Sequence, residues 1–112
     1  MAQKQRIDTL AGRTVRWTFT DGPTAGTTYE HAFGADGSIG FRAADKSGKG
    51  KFTMARDGAV VKIDDATFAV SYLAESGFTL TVVLNTQRME MVGFASNNES
   101  WFRQNGTFEV IA

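Results

Sequence analysis

The chain has no cysteine and a single proline, Pro23, among its 112 residues. Without cysteine there is no disulfide framework and no thiolate metal site, which suits a reducing compartment. Histidine is as scarce: His31 is the one copy, and the carboxylates form no metal-binding motif. Acidic and basic residues balance at 12 each, for a formal net charge of zero. A protein that holds nucleic acid by releasing counterions needs a basic excess. No apolar run approaches the ~20 residues of a membrane-spanning helix. The amino end, Met1-Ala2-Gln3-Lys4-Gln5-Arg6-Ile7-Asp8, has no apolar stretch of the kind a signal peptide carries. The expectation is a single cytoplasmic domain with no metal or cofactor and no nucleic-acid or membrane partner.

Glycine and phenylalanine are plentiful, at 12 and nine copies. Turn signals recur throughout: Asp21-Gly22-Pro23, Asp36-Gly37, Ser47-Gly48-Lys49-Gly50, Asp57-Gly58, Ser76-Gly77, Asn97-Asn98 and Asn105-Gly106. Between them, apolar and polar residues alternate over short runs, the pattern of antiparallel hairpins. Val15, Trp17 and Phe19 share one face of residues 13–20. Tyr29, His31 and Phe33 share a face of the next run, and Ile39 and Phe41 continue it. Phe78, Leu80, Val82 and Leu84 line up in the same way. No segment shows sustained helical periodicity. About eight to ten strands in sequential hairpins predict an all-β protein, a small antiparallel up-and-down β-barrel. Closure removes exposed edges, and ~8 strands leave room for side chains or one small ligand. Residues 1–9 read as a short polar amino-terminal arm and residues 10–112 as the barrel domain.

Inward parity gives the candidate site. Trp17, Phe19, Tyr29, His31, Phe41, Tyr72 and Trp101 are the expected lining of an aromatic interior, with His31 and Tyr72 supplying orienting hydrogen bonds. His31 on an apolar face is also a candidate acid or base, as is Glu75 in the turn Ala74-Glu75-Ser76-Gly77. The same parity turns Arg16, Glu30, Arg42 and Glu90 outward, as cross-strand surface pairs. The run Lys46-Ser47-Gly48-Lys49-Gly50-Lys51 lacks phosphate-loop spacing and a following helix, so it reads as a solvated loop. There is no G-x-S-x-G nucleophile motif. Residues 67–73 and 89–95 are apolar on both faces. Such strands need cover on both sides, which points to the arm or to a second subunit, and hence to a homodimer.

Four runs carry a family resemblance: Leu10-Ala11-Gly12-Arg13-Thr14-Val15, Ala25-Gly26-Thr27-Thr28-Tyr29-Glu30-His31-Ala32-Phe33, Val70-Ser71-Tyr72-Leu73-Ala74-Glu75-Ser76-Gly77 and Val92-Gly93-Phe94-Ala95-Ser96. They resemble the MoaF-like proteins, small bacterial proteins of the calycin, or lipocalin-like, barrel type. That resemblance spans about residues 10–110 and implies a barrel without prescribing a mechanism. A more distant likeness is to the phenolic acid decarboxylases, which use no cofactor. Their Tyr-x-Tyr pair corresponds here to Trp17-Thr18-Phe19, their arginine to Lys51 and their glutamate to Ala74, one position from Glu75. Those departures argue against that decarboxylation.

The function expected from the sequence is the binding of a small apolar or aromatic molecule inside the barrel. The alternatives are a cofactor-free enzyme of lyase or decarboxylase type acting on a small aromatic substrate, and a structural or interaction module whose barrel is filled.

Overall fold

Turn residues cut the described part of the chain into nine strands. The computed structural model describes residues 7–44 and 50–112. The strands are β1 (Thr14–Phe19), β2 (Thr28–Phe33), β3 (Ile39–Ala43), β4 (Thr53–Met54), β5 (Gly58–Asp64), β6 (Thr67–Leu73), β7 (Thr79–Asn85), β8 (Glu90–Ser96) and β9 (Trp101–Val110). All are antiparallel in one sheet of order β4-β3-β2-β1-β9-β8-β7-β6-β5. The expected all-β architecture is the one observed. The sheet curls into a small barrel, with β9 closing back onto β1. Its one unpaired seam lies between β4 and β5, neighbours in sequence but the two ends of the sheet. There β5 approaches β3 through side chains: a Cβ on Gly58 would lie 3.0 Å from the Ile39 methyl.

The alternation read from the sequence sets the inside and outside of β1. Val15, Trp17 and Phe19 are buried, and Thr14, Arg16 and Thr18 between them are half-buried. Phe33, Ile39, Phe68, Val70, Val82 and Leu84 belong to the same core. Burial of such side chains is the main stabilising contribution, at about 25 cal/mol per Å² of apolar surface.

Of the amino-terminal arm, only residues 7–9 are described. Residues 1–6, and the part of the lysine-rich loop at 45–49, lie outside the described residues. Ile7 and Leu10 are buried in the interior cluster. The Gly12 N–H donates to the Phe33 carbonyl at 2.7 Å. Residues 7–12 therefore close one end of the barrel.

The second difference is β9. Asn105-Gly106 reads as a turn, yet it sits in the middle of a ten-residue strand. The glycine answers a packing need. Gly106 pairs with Phe19 on one side and Met91 on the other. A Cβ there would run into the Thr18 carbonyl oxygen and the Met91 methyl. Glycine in a strand interior often marks such a close approach.

Candidate functional site

The end of the barrel away from Leu10 is open, and a cavity of about 460 Å³ enters it. Trp17 and Phe19 reach it from β1, Tyr29 and His31 from β2, Phe41 from β3 and Tyr72 from β6. Six of the seven expected lining residues are thus brought together. Glu75 and Ser76 stand at the mouth, both exposed.

Trp101 is the exception. It is 66 % exposed and packs outside, with its ring 6.3 Å from that of Phe94. Because β9 runs unbroken through Asn105-Gly106, its inward positions are Phe102, Gln104, Gly106 and Phe108. Trp101 has the opposite parity. Phe102 and Gln104 take the place in the wall that the sequence reading assigned to Trp101, alongside Phe78, Leu80 and Ala95.

The polar centre of the cavity is a contact between opposite walls. His31 Nε2 lies 2.7 Å from the Tyr72 hydroxyl. The two residues come from strands on either side of the β4/β5 seam, which aromatic rings span. Phe41 stacks on Tyr72 at 5.1 Å between ring centroids. Trp17 stacks on the other face of the assembly, 3.6 Å from the His31 ring and inclined by 23°. Trp17 pairs with Tyr29 and His31 with Val15, so this stack is a diagonal cross-strand contact. Phe19 meets Tyr29 edge-on at 6.1 Å.

Burial sets the protonation states. It disfavours the charged imidazolium, and the His31 pKa falls from 6.5 to about 3. Burial also raises the Tyr72 phenol above its ordinary value, with a further push from nearby Tyr29. Near pH 7 the pair is neutral imidazole and neutral phenol. Two buried nitrogens, His31 Nδ1 and Trp17 Nε1, have no hydrogen-bond partner among the described residues.

Gln104 anchors the loop that flanks the mouth. Its amide nitrogen donates to the Asp21 carbonyl at 2.7 Å, and its amide oxygen accepts from Thr24 at 2.8 Å. Asp21 in turn accepts from the Asn105 backbone and side chain at 2.7 and 2.9 Å. Those two bonds, the side-chain one foremost, lower the Asp21 pKa. Gln104 was not picked out in the sequence, where the false turn at 105–106 hid its inward parity.

The arginines stay outside, as the alternation predicts. Glu30 pairs in register with Arg16 and with Arg42. One carboxylate oxygen accepts from Arg16 at 2.7 Å and the other from Arg42 at 2.7 Å. Arg42 lies over the Phe52 ring at 4.1 Å. The two guanidinium groups cover Glu30, leaving it 3 % exposed although it faces outward. Hydrogen bonding from Arg16, foremost, holds its pKa below the usual carboxylate value despite burial. This network is structural and reaches nothing in the cavity. Glu90 is also on the outside, 4.0 Å from Arg88.

Among the described residues no group of three or more His, Cys, Asp or Glu is placed to hold a metal ion. Neither is any helix there long and apolar enough to cross a membrane. Among the described residues Ser76 is the one serine in the cavity wall, and no lysine lines that wall beside it.

No protein-family model matches this chain. Likewise, no curated protein matches it. A solved structure does: a protein described as a "putative beta-lactamase" from Burkholderia vietnamiensis superposes with a TM-score of 0.72 at 15% sequence identity, over 96% of this chain and 99% of that one. A likeness at that identity is one of fold: the same barrel, across nearly the whole of both chains.

Proposed function

We propose that the barrel binds a small, largely apolar or aromatic molecule in the cavity walled by Trp17, Tyr29, His31, Phe41 and Tyr72. One observation carries the reading: a hydrogen-bonded polar pair, His31 and Tyr72, stands in an open apolar cavity of about 460 Å³. Ligand cavities run to ~300–1,000 Å³ and combine apolar walls with a few orienting polar groups. A barrel filled by its own side chains needs neither feature.

Catalysis fits the same residues less well. An acid–base group works best with a pKa near the operating pH. His31 is depressed to about 3 and Tyr72 is raised, so both move away from it. Lactam hydrolysis, suggested by the description of the structural neighbour, finds no serine–lysine pair in the wall among the described residues. The likeness to MoaF-like proteins belongs to the proposal, since a barrel is what it implies. So does a cytoplasmic location, which a cysteine-free chain suits.

A homodimer is the partner we propose alongside the ligand. Val61, Ala69, Val83 and Val92 form one row across the outer face, paired in register from β5 to β8. A second copy is the commonest cover for such a face.

The ligand reading is tested by fluorescence. In a Trp101→Phe variant the exposed indole is gone and Trp17 reports alone. Titration with an apolar aromatic quencher should quench it saturably, at one site per barrel. Quenching that rises linearly without saturation would reject the proposal.

A further inference from the structure

The charge on the cavity wall narrows the ligand. Among the described residues no arginine or lysine lines it, and the one carboxylate, Glu75, stands at the mouth. His31 does not supply a cation, because burial keeps its imidazole neutral. A carboxylate or phosphate entering here would pass Glu75 and meet no counter-charge inside. Burying an unpaired ion is far more costly than burying a neutral polar group. The ligand the wall tolerates is uncharged.

The hydrogen-bond inventory narrows it again. Neutral imidazole carries one N–H and one lone pair. His31 Nδ1 is buried without a partner, while Nε2 meets the Tyr72 hydroxyl at 2.7 Å. A proton on Nδ1 would add a second orphaned donor beside the Trp17 Nε1–H, at the desolvation cost of an unpaired N–H. A proton on Nε2 leaves only a lone pair unmatched. In that tautomer Nε2–H donates to the Tyr72 oxygen, and the phenol keeps its own hydrogen for another acceptor. Tyr72 is a cavity-lining residue, so a bound molecule can supply that acceptor.

We propose that the cavity selects uncharged aromatic molecules bearing a hydrogen-bond acceptor, of the aryl ketone or aldehyde class, with Tyr72 donating to the carbonyl oxygen and His31 holding the phenol in place. This rests on the ligand-binding reading and adds the class of ligand.

Isothermal titration calorimetry at pH 7.5 with three probes of one shape tests both. Acetophenone is the neutral acceptor, ethylbenzene its apolar counterpart and benzoate its anion. Acetophenone should bind roughly tenfold more tightly than ethylbenzene, the share of one hydrogen bond. Benzoate should bind at least about a hundredfold more weakly than acetophenone. In Tyr72→Phe the ketone's advantage over ethylbenzene should disappear while ethylbenzene binding persists. Nitrogen-15 spectra of the unmutated protein should show His31 as the Nε2–H tautomer. Saturable binding of all three probes with equal affinity would overturn the selectivity and leave the binding site standing. An Nδ1–H tautomer would overturn the donor role of Tyr72. If no probe binds saturably, the binding reading itself fails, and this inference with it.

Discussion

The imidazole of His31 lies face to face on the indole of Trp17, with ring centroids 3.6 Å apart. Both residues are almost wholly inaccessible, at 1 % and 0 % exposure. The stack ties β1 to β2 on the inside of the barrel and presents the other edge of the imidazole to Tyr72. Site and core are the same structure at this point.

Removing Trp17 should therefore damage both. Trp17→Ala deletes a large buried side chain and leaves a void beneath His31. The expected cost is about 3–5 kcal/mol in denaturant titration. A small loss would place the indole outside the packed core.

Acid should weaken the fold earlier than carboxylate titration predicts. His31 has a folded-state pKa near 3 against 6.5 for the free side chain. Between those values the unfolded chain binds a proton that the folded one refuses. Stability is then fully present above about pH 6.5 and falls as pH drops toward 3, by up to about 1.4 kcal/mol per unit. Glu30 adds to the loss at lower pH, because its depressed carboxyl is protonated first in the unfolded chain. Urea titrations from pH 7.5 to 5 isolate the histidine contribution. His31→Phe should flatten that stretch of the profile, and an unchanged slope would contradict the burial of His31. The same variant should weaken binding of polar aromatic ligands by about 1–3 kcal/mol and spare apolar ones.

Much of the wall was legible because a hairpin sheet has a period of two. Once Val15, Trp17 and Phe19 are assigned inward, register carries Tyr29, His31 and Phe41 to the same side. Parity also identified Arg16, Glu30 and Arg42 as an outer network. It failed where a glycine had two possible meanings. Gly106 looks like a turn residue, but it is a flat place where three strands crowd together, and misreading it misplaced Trp101. The bond between His31 and Tyr72 was not legible at all. It joins residues 41 positions apart, and only the curvature of the sheet brings them within reach across the unpaired seam.

Gly106 offers a direct check on that explanation. Gly106→Ala places a methyl group against the Thr18 backbone, which cannot rotate away. The β1–β9 pairing must spread to admit it, at an expected cost of about 1–3 kcal/mol. A true turn glycine with positive φ, such as Gly37, has open space at its Cβ position. Gly37→Ala should cost only about 1 kcal/mol or so, through backbone strain. Thermal unfolding of the two variants compares crowding with strain; equal shifts would remove the packing account of β9.

The outer face yields the remaining prediction. Val92 and Phe94 point outward from β8, both half-buried within the single chain. Val61, Ile63, Leu73 and Trp101 stand more exposed on the same side of the sheet. Apolar groups gathered in this way usually mark an interface, and strand edges left unpaired at β5 invite association as well. The unmutated protein should sediment as a dimer at micromolar concentration. Val92→Lys with Phe94→Glu should convert it to a folded monomer, because neither side chain belongs to the inner wall. Ligand binding should survive that change, since the cavity lies against the opposite, inner face of β8. A monomer in the unmutated protein at high micromolar concentration would show that this face meets solvent alone.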